Sequence, residues 1–190
     1  MGKSNSKKKI AVFISGRGSN LKNLIKYSKL KKSKFTICLV LSNKSNAKGL
    51  KYARINKIKK FSFEKKLSLF EKKFIKLIKK FKINIVCLAG FMRILSPLFL
   101  TRVKIPVINI HPSLLPRLKG LNTHSRAIKA NHKYSGCTVH FVENKLDSGE
   151  IIVQKKIKIL KKDNPETLAK KILKLEHKAY VEALEKLFNF

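Results

Sequence analysis

Lys9-Ile10-Ala11-Val12-Phe13-Ile14-Ser15 runs directly into Gly16-Arg17-Gly18-Ser19-Asn20. The first stretch is apolar and rich in branched residues, the composition of a buried strand. The glycines break it, and Leu21, Leu24 and Ile25 then recur at helical spacing. Strand, glycine turn and helix in that order form the opening of a crossover unit, which predicts an α/β fold on a mostly parallel, twisted sheet.

The same alternation continues outward. Phe35–Ser42, Ile83–Leu88 and Pro106-Val107-Ile108-Asn109-Ile110 read as strands. A helix is expected near Ala47–Ile55, and another where Leu67, Phe70, Phe74, Leu77 and Phe81 recur at helical spacing with lysines between them. After Ile110 the pattern changes. His111 to Lys119 is a proline-punctuated loop, and Thr123–Ala130 reads as a short helix. Thr138–Val142 and Ile151–Ile159 read as strands joined by Glu143–Glu150. Asn164-Pro165-Glu166 opens a long C-terminal helix carrying Leu168, Ile172, Leu175, Ala179, Ala183 and Leu187 on one stripe. The expectation is a single domain over 9–190, Rossmann-like in its N-terminal half with helices on both faces of the sheet, after a flexible basic tail at 1–8.

Composition bounds the function classes. The chain has 190 residues, 44% of them hydrophobic, so it can fill a core and is not a disordered basic tail. No apolar run approaches the ~20 residues that span a bilayer, and no apolar signal segment opens the sequence. A cytoplasmic location is expected. Met1-Gly2-Lys3-Ser4-Asn5-Ser6 fits a myristoylation pattern, but reads as a short polar tail. Cys38, Cys87 and Cys137 include no C-x-x-C pair and read as reduced core thiols. No His, Cys or Asp set has metal-ligand spacing, so no metal is expected.

Lys+Arg number 45 against 10 Asp+Glu, a net charge of +35. Only Arg17, Arg54, Arg93, Arg102, Arg117 and Arg126 are arginines, and the lysines are spread along the whole chain, as in Lys72-Lys73 and Lys161-Lys162. A nucleic-acid reader concentrates charge on one face and uses arginine for bidentate contacts. The lysines read instead as a solvated surface, enlarged by the codon bias that also enriches Ile, Asn and Phe. No specific nucleic acid is expected, only attraction for anionic ligands and salt-sensitive loose binding to nucleic acid.

Three features could carry chemistry. The turn at Gly16–Asn20 offers free backbone N–H groups at a helix start, a seat for phosphate. Leu21 replaces the third glycine of a dinucleotide fingerprint, and the first acidic residue in the chain is Glu64, too far on to hold a ribose. No Gly-Lys-Ser/Thr follows either, so a small phosphorylated substrate fits better than NAD or ATP. A tight turn capped by Ser19 or Asn20 is the structural alternative. Asp147, in Leu146-Asp147-Ser148-Gly149-Glu150, is the leading catalytic carboxylate, or else an ordinary turn former. His111 follows a strand at its C-terminal edge, with Asn109 on the same side, an amide and an imidazole placed to stabilise an oxyanion and move a proton. His132 and His177 read as helix-surface residues, His124 as a helix-start residue and His140 as a strand residue.

Asn109-Ile110-His111-Pro112-Ser113-Leu114-Leu115-Pro116 and Gly136-Cys137-Thr138-Val139-His140-Phe141-Val142, followed by Leu146-Asp147-Ser148-Gly149, resemble the signatures of folate-dependent formyltransferases. Ile14-Ser15-Gly16-Arg17-Gly18-Ser19-Asn20-Leu21 and Leu88-Ala89-Gly90-Phe91-Met92-Arg93-Ile94-Leu95 resemble the phosphate loop and folate segment of the phosphoribosylglycinamide formyltransferases within that superfamily. The likeness runs from about residue 9 to about 187. It implies that Asn109, His111 and Asp147 form a catalytic trio. Gly18, Ser19 and Asn20, with Glu176, would bind glycinamide ribonucleotide. Met92, Arg93, Ile94 and Leu95, with Asn109, would contact 10-formyltetrahydrofolate as co-substrate. The implied reaction is formyl transfer to the glycinamide amine in purine biosynthesis, through a tetrahedral intermediate. Asn109 and a charged His111 would donate to its oxygen, and Asp147 would favour the charged imidazole. A monomer or homodimer is implied.

This sequence departs from the family pattern in places. Lys65-Lys66-Leu67-Ser68 lacks an arginine that touches the cofactor, Lys119 stands where proline is frequent, and Leu173 stands where a glutamine is expected. Methionyl-tRNA formyltransferases and formyltetrahydrofolate hydrolases are the enzyme alternatives. The first carry an added C-terminal tRNA-binding domain, and the second carry an N-terminal regulatory domain and a second histidine where Pro112 stands. A nucleic-acid-binding module is supported by charge alone.

Overall fold

The structure is a computed structural model, and it describes residues 6–64 and 66–189. The chain divides into two compact units, one formed by residues up to Val107 with those from Leu184 onward, the other by Ile108–Ala183. The lipidation pattern at the N-terminus and Lys65 lie wholly or mostly outside the described residues. The first strand begins at Lys8, and the Lys7 ammonium donates to the carbonyls of Ser28 and Leu30.

The first unit contains β1 (Lys8–Ile14), α1 (Ser19–Ser28), β2 (Phe35–Ser42), α2 (Leu50–Ile55), β3 (Lys59–Ser62), α3 (Leu67–Lys80), β4 (Ile85–Leu88) and α4 (Pro97–Val103). Its strands run in the order β3-β2-β1-β4, and every pair is parallel. The register pairs Lys8 with Phe35 and Phe13 with Leu88. Ile10 to Ile14 are fully buried, as a strand covered on both faces must be. Phe13 stacks on Phe74 at 4.5 Å between centroids and meets Phe70, Phe91 and Phe99. The apolar stripe of α3 supplies Phe70 and Phe74 to this cluster.

Two elements of this unit escape a periodicity reading. β3 has only four residues, none of them fully buried, so it shows no apolar run. α4 has only seven, but Ser96-Pro97 is its start signal: Ser96 Oγ accepts from the Phe99 N–H, and proline takes the first helical position. Buried Glu71 of α3 accepts from both the N–H and the hydroxyl of Ser96, at 2.7 and 2.6 Å, and fixes that cap.

β5 (Val107–His111) starts at the unit boundary, and the second unit continues with α5 (Thr123–Lys129), β6 (Tyr134–Phe141), β7 (Ile151–Lys158) and α6 (Pro165–Leu187) up to Ala183. β5, β6 and β7 pair antiparallel in that order. Here β6 starts four residues earlier than expected, and His111 ends β5 rather than following it. His132 sits in the link between α5 and β6, not on a helix. The α6 stripe buries Leu168, Ile172, Ala179, Tyr180 and Ala183, and the Tyr180 hydroxyl donates to the Ile108 carbonyl at 3.3 Å.

Candidate active site

The trio is built by strand alternation plus one turn. Asn109 and His111 lie two apart on β5 and so project to one side. Antiparallel pairing sets Asn109 opposite His140 and His111 opposite Thr138. Asp147 comes from the turn after β6 in a left-handed conformation, φ 46°, one that aspartate tolerates better than most residues. Its Oδ2 lies 3.3 Å from Nδ1 of His111 and accepts the Gly120 N–H at 2.8 Å. His111 and Asp147 are both buried.

The second imidazole nitrogen is also engaged. Nε2 of His111 lies 2.9 Å from the Leu118 carbonyl oxygen. Two acceptors, a carboxylate and a carbonyl, therefore face the two ring nitrogens, a pattern satisfied in full only by the ring with both N–H groups. This differs from the arrangement expected of a histidine that donates to a substrate oxygen: Leu118 must withdraw before Nε2–H is released. The loop that places Leu118 is held by further bonds. Ser113 Oγ donates to the Arg117 carbonyl, and the Arg126 guanidinium donates to the carbonyls of Lys119 and Leu121.

His140 joins the trio, a role its place within a strand does not announce. Its Nδ1 lies 2.7 Å from the Phe141 carbonyl and so carries the proton. Nε2 is then an acceptor, 3.4 Å from the Asn109 amide nitrogen and 3.7 Å from Asp147 Oδ1. Burial pushes the His140 imidazole below the ordinary histidine value, against the opposing pull of the Phe141 carbonyl and Asp147. A neutral ring makes no ion pair with Asp147, so the Asn109 contact is its working interaction. It orients the amide through one of its two N–H groups. The alternation of Thr138 and His140 opposite His111 and Asn109 is the signal that could have revealed this.

Two segments of the first unit hold most of the other residues expected to contact ligands. Gly18 caps α1 in a left-handed conformation, φ 72°, with no side-chain cap hydrogen bond. The Gly18 backbone also packs on Gly49, where a Cβ would stand 2.7 Å from the Gly49 Cα. Ser15 ties this turn to the segment after β4. Its hydroxyl donates to Asn43 Oδ1 at 2.5 Å and accepts the Met92 N–H at 2.8 Å. Beyond it, Met92 and Ile94 are exposed and Leu95 is buried. Glu176 lies half-buried on α6, close enough to Cys137 to help burial push that thiol up to about 12. All three cysteines are free thiols. Among the described residues no cluster of three or more His, Cys, Asp or Glu could hold a metal ion. Among them, too, no helix is long and apolar enough to cross a membrane.

The formyl transferase family model matches residues 8–184. The chain belongs to that family. It is 36% identical to the phosphoribosylglycinamide formyltransferase of Bacillus subtilis, covering 96% of this chain and 95% of that one. It is 39% identical to the trifunctional purine biosynthetic protein adenosine-3 of Gallus gallus over 95% of its own length, and spans 18% of that longer relative. The crystal structure of phosphoribosylglycinamide formyltransferase from Brucella melitensis matches with a TM-score of 0.91 and 38% identity, covering 96% of each chain. The fold class of this chain is that of such structures, α/β with a mostly parallel sheet. Seven strands and six helices, the last C-terminal, are present among the described residues.

Proposed function

We propose that this formyl transferase moves the formyl group of 10-formyltetrahydrofolate to the amine of glycinamide ribonucleotide, a step of purine biosynthesis. The observation that carries this reading is buried His111, set between Asp147 and the Leu118 carbonyl, with the Asn109 amide beside it on the same strand. Such a group suits a reaction that develops negative charge on a carbonyl oxygen and needs one proton moved.

The amine attacks the formyl carbon, forming a carbon–nitrogen bond and placing negative charge on the former carbonyl oxygen. The free Asn109 N–H donates to that oxygen, and the charged His111 ring stabilises it, directly once Leu118 withdraws. The amine's proton passes through Asp147, His111 or a water, and the folate nitrogen gains a proton as its bond to the formyl carbon breaks. No covalent enzyme intermediate is required.

The remaining roles follow the residue positions. The α1 N-terminus, with Gly18, Ser19 and Asn20, holds the substrate phosphate, and Glu176 binds the ribonucleotide. The apolar side chains Met92, Ile94 and Leu95, with Arg93 and Asn109, hold the folate. Residues 9–190 act as one functional domain in the cytoplasm, on small molecules rather than nucleic acid. The test is formyl transfer by purified protein with glycinamide ribonucleotide and with methionyl-tRNA offered separately. Formylated ribonucleotide is expected, and product from the tRNA alone overturns the reading.

A further inference from the structure

A cavity of about 520 Å³ opens in the second unit, and apart from Leu118 the proposed chemistry uses none of its lining residues. Its volume lies within the range of roughly 300–1,000 Å³ for small-molecule sites. One wall is apolar, made by Leu114, Leu115, Pro116 and Leu118. The lining also includes Arg117, His132, Lys133 and Lys156, with Tyr134. No carboxylate lines the cavity, and Arg117, Lys133 and Lys156 have no ion-pair partner among the described residues. Lys156 instead rests its ammonium over the Tyr134 ring, 3.8 Å from the centroid. Gln154 spends its amide N–H groups on the Leu115 carbonyl and Thr138 Oγ1, which leaves its carbonyl oxygen as an acceptor at the rim.

Three unpaired cations, a half-exposed aromatic ring and an apolar wall in one cavity call for a ligand with both a compact anion and a flat apolar body. We propose that this cavity binds an aromatic phosphomonoester of the nucleotide class, with its phosphate on Arg117, Lys133 and Lys156 and its ring against Tyr134 and the leucines. Arginine supplies the bidentate contact that a phosphate favours. The site is connected to the chemistry through its own wall: Leu118, whose carbonyl engages His111, lines the cavity, and the Arg117 carbonyl is held by Ser113. A seated ligand holds that loop where Leu118 occupies His111, so it slows turnover without competing with either substrate.

Equilibrium dialysis of the whole chain at about 0.15 M salt tests this, with AMP as the probe and adenosine and inorganic phosphate as its two halves. Saturable AMP binding is expected, with each half binding far more weakly. Arg117→Gln/Lys156→Gln, at two exposed positions, should weaken AMP binding tenfold or more, while Lys72→Gln/Lys73→Gln on α3 should leave it within twofold. AMP should lower kcat in the transfer assay with KM for the ribonucleotide unchanged. The proposal is overturned by absence of saturable binding at about 1 mM AMP. It is equally overturned by unchanged affinity in Arg117→Gln/Lys156→Gln, by equal losses in both double variants, which would mark a general lysine field, or by AMP competing with the ribonucleotide.

Discussion

The carbonyl oxygen of Leu118 lies 2.9 Å from Nε2 of His111, on the nitrogen opposite the one that faces Asp147. A backbone group of a loop thus closes the hydrogen-bonding of the His111 imidazole. Leu118 reaches that place in a left-handed conformation, as do Gly120 and Asn122, so the segment bends three times in five residues.

Gly120 is the point at which this bend is most easily disturbed. It has φ 77°, its N–H donates to Asp147, and a Cβ there would find only Leu146 at 3.9 Å. Gly120→Ala therefore meets no clash but carries backbone strain of about 1–2 kcal/mol. The expected result is a lower kcat together with a melting temperature lowered by several degrees, measured by transfer kinetics and circular dichroism. Wild-type kcat with a clear fall in melting temperature would mean the loop is only structural.

His140→Ala removes the acceptor that orients the Asn109 amide. The loss of one oriented hydrogen bond, worth about 0.5–1.5 kcal/mol, predicts a kcat reduced by up to about tenfold with KM values held. Nuclear magnetic resonance of the Asn109 side-chain amide should show that its signals shift in this variant. Unmoved amide signals would remove His140 from that task.

The proposed phosphate seat needs a variant other than Gly18→Ala. A Cβ at Gly18 runs into the Gly49 backbone at 2.7 Å, so stability and ribonucleotide affinity are expected to fall together in urea titration and kinetics. Ser19, half-buried with no side-chain cap to make, separates the two. Ser19→Ala should raise KM for the ribonucleotide by several-fold to about tenfold, with an unchanged urea midpoint. An unchanged KM would take the Ser19 hydroxyl out of the phosphate site.

Stability should depend on pH through buried His140 and half-buried His124 and His177. Burial lowers the folded-state values of His124, His140 and His177. The unfolded chain then takes up protons, near its ordinary value of about 6.5, before the folded protein does. Stability is fully present above that value and declines as pH falls below it toward the lowered folded values. Melting temperature should fall between pH 7.5 and pH 5, and His140→Gln should reduce the slope. A melting temperature that rises on acidification would contradict this sign.

The parts of the fold written in long apolar runs are legible in the amino-acid sequence itself. β1 and β2 show themselves because both faces are buried, and α3 and α6 because a full stripe repeats over many turns. β3 stays hidden because four half-exposed, lysine-rich residues give no run, and α4 because its signal is a two-residue cap rather than a stripe. At the site, Asn109, His111 and Asp147 stand out as scarce polar residues at strand ends and turns. His140 does not, because its role comes from cross-strand register with Asn109. The Leu118 carbonyl leaves no mark in the sequence at all, since backbone conformation, not side-chain identity, places it.

The central claim is that Asp147 and His111 act together in formyl transfer to glycinamide ribonucleotide. The most direct test is the kcat of Asp147→Asn beside wild type, with 10-formyltetrahydrofolate and glycinamide ribonucleotide both saturating. The amide keeps the shape of the side chain but removes the charge facing His111 Nδ1 at 3.3 Å. A fall of about 100-fold or more is predicted, on the scale of a lost proton-transfer group or oxyanion donor. A folded Asp147→Asn protein that turns over within a few-fold of wild type would contradict the account.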